Sequence, residues 1–374
     1  MTTRLDEMAH AVRRALAEKH LMDSRMGVPD ADEIDGDLLG GARTFADQTE
    51  DALSKRTVVA VAKDRQKEAV VIYTTRAYAK ADQRLMHEAV GEDIPIIFRS
   101  LDIGPQGPGS APQLQIATAP VLVKRRITCG TSISVGNDRG AGTFGALVRN
   151  ADGDLFGLSC GHVVAGCGYL REGMPIVAPG VQDVVPSWPD PRVIGHFAHA
   201  LPLVPGDPAT IGVRPNLDAA LFRVSKDSAV SSSQGGHYDT PTVVHDLDDD
   251  EDEGLLEVEK VGRSSGMTQG TMVTRFLHPI EIEFKVTCFP DLGMTKKFEA
   301  AVFIDSLWAA NSGGAPFASP GDSGALVVTR PVGGKARKAV GLVIAGTRDN
   351  SAMILPIQPI LDAFDVRLVS GHGV

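Results

Sequence analysis

The apolar positions at the start of the chain follow a helical spacing. Over residues 4–21 five apolar side chains fall on one face, which predicts an amphipathic helix: Leu5, Met8, Val12, Ala15 and Leu16. Residues 23–42 are rich in Gly and Asp and predict a loose stretch. Residues 1–42 are therefore predicted to be one helix and a flexible segment.

Short β-branched runs and one further helical pattern come next. They predict two strands, a helix and a third strand, in this order: 57–62, 69–74, 81–90 and 94–98. Residues 104–112 hold three prolines and three glycines, which is the composition of a linker. The sequence thus predicts a small ββαβ leader, α+β in class, with its linker over residues 43–112.

From residue 113 to residue 374 the pattern is one of many short strands broken by glycine-rich turns. After residue 254 six strand-like runs follow one another: 256–261, 271–276, 280–286, 300–304, 325–329 and 339–345. A helical pattern returns only at 357–364. The sequence predicts a mainly β body with a C-terminal helix.

A hairpin is the clearest local signal in this body. Runs at 143–149 and 155–160 flank Asn150-Ala151-Asp152-Gly153, and Gly153 can adopt the positive φ that such a turn needs. The second strand of the hairpin leads directly into His162.

Composition and charge narrow the class of protein. In 374 residues, 43% are hydrophobic and 22% are charged, values typical of a globular protein. Residues 1–20 contain no uncharged run that resembles a signal peptide or a membrane span, so we expect a cytoplasmic protein that does not insert into a membrane. In that compartment the four cysteines should stay reduced. The net charge of −10 argues against binding to nucleic acid.

A candidate nucleophile lies in the segment Ser319-Pro320-Gly321-Asp322-Ser323-Gly324. The glycines let the backbone turn its amides toward a substrate carbonyl. We therefore predict Ser323 as the nucleophile and the N–H groups of Gly321 and Ser323 as an oxyanion hole. A polar β-turn without catalytic function is the alternative for this segment.

His162 and Asp218 complete a candidate triad. His162 lies at the end of a predicted strand, where a base can be held rigidly, and Asp218 begins an apolar run. A carboxylate that enters a strand needs a partner, and the Nδ1–H group of His162 would supply it. The alternative is that Asp218 is a turn residue. Together the three residues follow the order His, Asp, Ser.

The segments 159–164, 217–222 and 321–325 resemble the three motif blocks of trypsin-like serine peptidases. A closer likeness is to the intracellular bacterial subfamily related to plant NARROW LEAF proteins, through Lys260-Val261-Gly262-Arg263-Ser264-Ser265-Gly266. The resemblance implies a serine endopeptidase of chymotrypsin fold with two antiparallel six-stranded β-barrels, at about 122–224 and 255–356, and the triad between them. It also points to a homo-oligomer, which the apolar face of the first predicted helix and the leader sheet suggest as well.

One departure from that family concerns activation. In trypsin-like zymogens a newly cut amino terminus pairs with the aspartate before the serine, and no such activation sequence precedes the body here. Asp322 therefore needs another partner.

The predicted substrate pocket holds no acidic side chain. Its residues are the segment before the nucleophile and one later strand: Phe317, Ala318, Ser319, Ile344, Ala345 and Gly346. We expect a small or apolar side chain before the scissile bond of a protein or peptide substrate, whose backbone would pair with that strand.

Three other interpretations receive less support. Gly262-Arg263-Ser264-Ser265-Gly266 matches the nucleophile elbow of α/β-hydrolases, but no helical pattern follows it. The acidic run 246–253 lacks the glycine-spaced loop of a calcium site, and the cysteines lack zinc-ligand spacing.

A catalytically latent scaffold that acts by binding is the main alternative to an enzyme. No cofactor or metal is predicted.

Overall fold

The computed structural model describes residues 4–22, 57–76, 95–104, 122–184 apart from 137 and 139, 191–206, 211, 216–247, 255–291, 294–347 and 350–374. Four predictions lie largely or wholly outside these residues: the loose stretch 23–42, the helix 81–90, the linker 104–112 and the acidic run 246–253.

The chain begins with a helix that packs on a small sheet. Helix α1 (Arg4–Glu18) is followed by strands β1 (Val58–Asp64), β2 (Ala69–Thr74) and β3 (Ile96–Ser100). β1 and β2 are antiparallel, and β3 runs parallel to β2. The apolar face of α1 packs into one core with β1, β2 and β3. The prediction of a homo-oligomer rested partly on this face, which the chain's own sheet covers.

The next strands form a curled antiparallel sheet. In chain order the strands of this part are β4 (Leu122–Val123), β5 (Arg126–Cys129), β6 (Ser132–Val135), β7 (Gly142–Thr143), β8 (Ala146–Asn150), β9 (Leu155–Ser159), β10 (Pro175–Ala178), β11 (Arg192–Ala200) and β12 (Ala220–Val224), with helix α2 (Gly161–Val164) after β9. β4 and β5 pair with each other in a small separate sheet, and the other seven strands form the curled sheet. The pairing order is β8-β9-β12-β11-β10-β6-β7. Because β7 and β8, at the two ends of this order, are successive parts of one segment, the sheet curls back on itself as a half-barrel, which we call the first barrel.

A second barrel closes fully through hydrogen-bonded strands. Its six strands are β15 (Leu256–Gly262), β16 (Gly266–Phe276), β19 (Trp308–Asn311), β20 (Leu326–Thr329), β21 (Ala339–Gly346) and β22 (Ala352–Pro356). They pair in the order β15-β20-β21-β22-β19-β16, and β16 pairs again with β15. Every pairing in this ring is antiparallel.

Several smaller elements complete the fold. They are β13 (Val230–Gln234) and β14 (Tyr238–Asp239), which extend β5 and β4, the hairpin β17 (Ile280–Asp291) and β18 (Met294–Ile304), helix α3 (Ile357–Phe364), and β23 (Val366–Leu368), which pairs with β8. The predicted fold class is confirmed: the chain is mainly β, with a half-barrel sheet, a closed six-stranded antiparallel barrel, a small N-terminal α+β leader and a C-terminal helix.

Two of the six strands predicted after residue 254 do not belong to the second barrel. The runs 280–286 and 300–304 form the separate hairpin β17–β18, while β19 and β22 supply the missing barrel strands. β19 reads Trp-Ala-Ala-Asn, and alanine and asparagine have low strand propensity. β22 runs directly into α3 and ends on a proline. The sequence pattern at both places was therefore weak.

The leader is joined to the second barrel by backbone pairing. β1 pairs with the last residues of β16, from Ala62 opposite Phe276 to Asp64 opposite Thr274. Just after β16 the buried His278 accepts a hydrogen bond at Nε2 from the N–H of Val61, at 2.8 Å. Burial, with a smaller contribution from Arg13, lowers the pKa of His278 from 6.5 to about 4.

None of the described helices is long and apolar enough to cross a membrane. All four cysteines are free and buried.

His278 should make the stability of the chain depend on pH. The imidazole is neutral in the folded state and protonates more readily when unfolded, so stability is lost as pH falls from about 6.5 towards 4. The loss attributable to His278 should reach about 3 kcal/mol. Urea unfolding gives the free energy of unfolding of wild type and His278→Gln at pH 7, 5.5 and 4.5. The difference between the two proteins should change with pH by the amount that His278 contributes.

The matched control is His196→Gln, because His196 is exposed. This variant should keep the wild-type dependence on pH. If His278→Gln lost as much stability on acidification as wild type, the assignment to His278 would be wrong.

Candidate active site

His162 lies on a short helix directly after a strand of the first barrel. The predicted hairpin is present as β8 and β9, with Gly153 in its turn at φ of 89°, a value that favours glycine. β9 ends at Ser159, and Cys160 is the N-cap of α2. The hairpin thereby places His162 three residues after the end of β9, as the second residue of α2.

Two hydrogen bonds join His162 to Asp218. The backbone N–H of His162 donates to Oδ1 of Asp218 at 2.9 Å, and Nδ1 lies 2.6 Å from Oδ2. A carboxylate only accepts, so Nδ1 carries a proton and Nε2 is left as an acceptor. The pair therefore orients the imidazole and selects the tautomer in which Nε2 can take up a proton.

Asp218 is completely buried, two residues before β12. A Cβ atom at position 161 would lie 3.2 Å from its Oδ1 atom, so Gly161 keeps the space for the carboxylate beside the start of α2. The burial of Asp218 is compatible with a charged carboxylate because both of its oxygens accept hydrogen bonds from His162.

The turn that carries Ser323 packs against the first barrel. The N–H of Thr143 donates to the carbonyl of Ser323 at 2.8 Å, and the Thr143 hydroxyl donates to the carbonyl of Gly321 at 2.9 Å. Gly324 has φ of 91°, and a Cβ atom there would lie 2.3 Å from Oγ of Ser159. Glycine at 324 thus lets the turn approach the end of β9, which leads into α2.

Four polar groups at this junction have no hydrogen-bond partner within the described part of the chain. They are the N–H groups of Gly321 and Ser323, Oγ of Ser323 and Nε2 of His162. Ser323 retains 9% of its surface and His162 retains 7%. In ligand-free sites such groups often pair only when substrate binds. The arrangement leaves two donors, a hydroxyl and a basic nitrogen for a ligand.

Asp322, next to Ser323, has a buried cation as its partner. Its carboxylate is 2.8 Å from Nζ of Lys260 and accepts from the N–H groups of Ser264, Ser265 and Ser319. Both charged side chains are fully buried. Burial alone raises the pKa of Asp322, but Lys260, the hydroxyl of Ser265 and the N–H of Ser319 outweigh it and lower the pKa below 3.8. The partner that Asp322 required is therefore Lys260 of β15.

A second buried ion pair joins the two barrels beside this turn. Arg263, in the turn between β15 and β16, binds Asp183 of the first barrel through Nε at 2.6 Å and Nη2 at 2.7 Å. Its N–H also donates to the Thr143 hydroxyl at 3.0 Å. A Cβ atom on Gly321 would lie 2.2 Å from Nη1 of Arg263. The guanidinium thus lies directly against the candidate oxyanion turn.

The predicted pocket residues lie on two segments that run close together. A Cβ atom on Gly346 would lie 3.7 Å from the carbonyl oxygen of Ala318. Phe317, Ile344 and Ala345 are buried, whereas Ser319 and Gly346 are only partly covered.

Phe317 packs into the core of the second barrel. Its ring lies 6.0 Å from Nζ of Lys260, and its carbonyl accepts a hydrogen bond from the hydroxyl of Thr268 at 2.7 Å. The backbone of residue 317 is therefore held, and the partly covered Ser319 and Gly346 are the more accessible members of the predicted pocket.

Cys160 lies close enough to His162 and Asp218 for one ligand atom of each to fall within 4.8 Å of the others. Burial, and then the charge of Asp218, raise the pKa of the Cys160 thiol well above its usual value. The thiol donates to the carbonyl of Val343 at 3.3 Å. A protonated thiol is a poor metal ligand, and both oxygens of Asp218 already bind His162, so this set is not suited to a metal ion.

Three important residues were not singled out from the sequence. Lys260 and Arg263 lie in a motif that was used only for its resemblance, although two cations within a glycine-rich apolar segment signal buried ion pairs. Phe284 of β17 has its ring 5.2 Å from the imidazole of His162. Nothing in the alternating pattern of that strand indicated such a contact.

Comparisons with known proteins give structural matches only. No family model and no curated protein matches the chain. Among solved structures, it is similar to the Nocardiopsis protease NAPase at 18% identity and a TM-score of 0.36, over 64% of this chain and 97% of that one. It is similar to an alpha-lytic protease homolog, N4, at 17% identity and 0.39, over 65% and 100%.

A third similar structure is the Cellulomonas bogoriensis chymotrypsin, at 17% identity and a TM-score of 0.35, over 65% of this chain and 98% of that one. These scores are low, so the fold assignment rests on the strand pairing. The three matches do not bear on the NARROW LEAF subfamily, and that resemblance stays a prediction.

Replacing Lys260 by Met should destabilise the chain by about 3–5 kcal/mol at pH 7, because it leaves the buried Asp322 carboxylate without its cation. Since Lys260 lowers the pKa of Asp322, its stabilisation is present above pH 3.8 and is lost as pH falls through the folded-state pKa. Urea unfolding between pH 7 and pH 3 should show the two proteins converging in stability.

The control is Lys297→Met, which removes an exposed ammonium group on β18 and should change stability by less than about 0.5 kcal/mol. The double variant Lys260→Met with Asp322→Asn should be less unstable than the sum of the single changes. Additive effects would contradict the pairing.

Proposed function

We propose that the chain is a serine endopeptidase in which His162 is the general base, Asp218 orients it and Ser323 is the nucleophile. The observation that carries the proposal is the buried His162–Asp218 pair. The Nε2 atom of His162 lies on helix α2, directly after β9, and is available to accept a proton. The turn that carries Ser323 packs on the end of β9, at Ser159.

The reaction would follow from these groups. Oγ of Ser323 attacks the carbonyl carbon of the scissile peptide, and its proton passes to Nε2 of His162. The negative charge that develops on the carbonyl oxygen is stabilised by the N–H groups of Gly321 and Ser323. The amine leaves with the proton from His162, and an acyl-enzyme remains.

Hydrolysis repeats the same steps with water as the nucleophile. Nε2 accepts a proton from the water, the acyl bond to Ser323 breaks, and the proton returns to Oγ. Asp218 keeps Nδ1 protonated throughout and stabilises the imidazolium that forms in each half. No cofactor takes part in the proposed reaction.

The charge partner of Asp322 supports a turn that is formed without proteolytic activation. Lys260 supplies the positive charge from within β15, in place of a newly cut amino terminus. The proposed enzyme would therefore have an assembled oxyanion turn as synthesised. A latent scaffold of the same fold remains the alternative function.

The finer assignments are also proposals. They are membership of the NARROW LEAF-related bacterial subfamily, a cytoplasmic location, a protein or peptide substrate and a homo-oligomeric state. Light scattering of the full-length chain tests the last of these, and a monomeric mass would exclude it.

A fluorophosphonate probe tests the nucleophile directly. At neutral pH wild type should be labelled on Ser323, Ser323→Ala should not be labelled, and His162→Ala should react about 10²- to 10⁴-fold more slowly because the base is lost. Peptide mapping locates the probe. Labelling on Ser264 instead would refute the assignment of Ser323 as the nucleophile.

The chain offers a matched control in Ser225 and His196, an exposed serine and histidine 3.4 Å apart. Ser225→Ala and His196→Ala should both label as wild type does. If folded wild type were not labelled at all, the latent scaffold would replace the enzyme.

Specificity is tested with a peptide library. We expect cleavage after small or apolar residues, because none of the predicted pocket residues is acidic and the nearby Asp322 carboxylate is buried and paired with Lys260. Cleavage only after Lys or Arg would refute the assignment of the pocket to these segments.

A further inference from the structure

The hairpin β17–β18 leaves the second barrel and contacts the segment that carries the candidate base. The ring of Phe284 lies 5.2 Å from the imidazole of His162, with 34° between the planes. A Cβ atom on Gly166 would lie 3.0 Å from the carbonyl oxygen of Thr287. These two contacts dock β17 on α2 and on the turn that follows it.

The other strand of the hairpin makes a third contact with the same turn. Phe298 of β18 packs edge-on against Tyr169, with ring centroids 4.9 Å apart. Both of these rings are partly exposed, whereas Phe284 is completely buried. Phe284 is thus the inner contact, and the pair Tyr169–Phe298 lies at the surface.

The hairpin also binds the segment that carries Asp218. The side-chain amide of the buried Asn216 donates to the carbonyl of Phe303 at 3.0 Å, and its oxygen accepts from the N–H of Val204 at 2.9 Å. Asn216 lies two residues before Asp218. One hairpin therefore contacts both His162 and the segment that leads into Asp218.

The base of the hairpin is held by the leader. The side chain of Phe303 packs into the core formed by α1 and the leader strands. The N–H of Leu277, just before β17, donates to the carbonyl of Val61 of β1 at 3.1 Å. Phe284 consequently reaches His162 from an element that is fixed at its base and at its docking face.

We infer that Phe284 is a positioning residue that holds the imidazole of His162 against Asp218. The Nδ1 bond alone leaves the imidazole ring free to tilt, and a buried aromatic ring against it restricts that motion. The apolar cover also excludes water from the Nδ1–Oδ2 bond, and such a bond is stronger in an environment of low dielectric constant. The consequence for catalysis rests on the proposed function, whereas the effect on the imidazole does not.

Proton NMR tests the positioning without any reaction. The proton on Nδ1 of His162 should give a low-field resonance in wild type, assigned by its loss in His162→Gln. In Phe284→Ala this resonance should broaden or vanish, because water reaches the bond and the proton exchanges. Labelling by the fluorophosphonate probe should slow by about 10- to 100-fold, the cost of a misplaced catalytic group.

Two further variants separate positioning from general loss of packing. Ile282→Ala removes a fully buried side chain on the same face of β17, one pleat before Phe284, and should keep both the resonance and the labelling rate while lowering the melting temperature. Phe284→Leu restores an apolar cover of similar size and should recover most of both signals.

The inference is wrong if Phe284→Ala keeps the low-field resonance and labels as wild type does. It is also wrong if Ile282→Ala abolishes the resonance to the same extent. A resonance that depends on Phe284 in a wild type that the probe does not label would support the positioning role and refute the peptidase.

Discussion

The carboxylate of Asp322 sets the central constraint on this structure. A side chain with no exposed surface can stay charged only if donors fill its lone pairs. The donors come from β15, through Lys260, and from the turn after β15, through Ser264 and Ser265. Satisfying one buried charge therefore ties the turn that carries Ser323 to the first two strands of the second barrel. The amides on either side of Asp322 remain unpaired and available to a ligand.

A different set of contacts fixes that turn relative to the first barrel. Arg263 binds Asp183 across the barrel junction and lies against Gly321, while Thr143 binds two carbonyls of the turn. Breaking a buried pair of this kind costs more than forming it contributes, because the remaining charge stays buried. The pair is thus better understood as a device that specifies one docking geometry than as a source of net stability. That geometry decides whether Ser323 and His162 can act on the same substrate atom.

The sequence predicted the features whose signals are local. The hairpin before His162, the glycines around Ser323 and the mainly β body all follow from turn chemistry and alternation within a few residues. The segment of Lys260 and Arg263 carries a signal for buried ion pairs, but which carboxylate each cation meets was not predictable, because only the folded chain brings Lys260 to Asp322. The role of 280–304 was misassigned because alternation is the same in a barrel strand and in a hairpin that packs on one face. The partner of Phe284, like that of Asp322, depends on tertiary docking.

The leader acquires a structural connection to the candidate site from its position in the sheet. Along one edge of β16, the first residues pair with β15 of the second barrel and the last three residues pair with β1 of the leader. β19 occupies the opposite edge. The hairpin leaves β16 just beyond the part that β1 covers, and its base shares a core with α1. Because Phe284 reaches His162 from this hairpin, the leader helps to hold an element that packs on the imidazole of His162, although the leader contains no residue of the proposed triad. A change in the packing of α1 on β1 would therefore be transmitted first through Phe303 and the hairpin, and only then to His162.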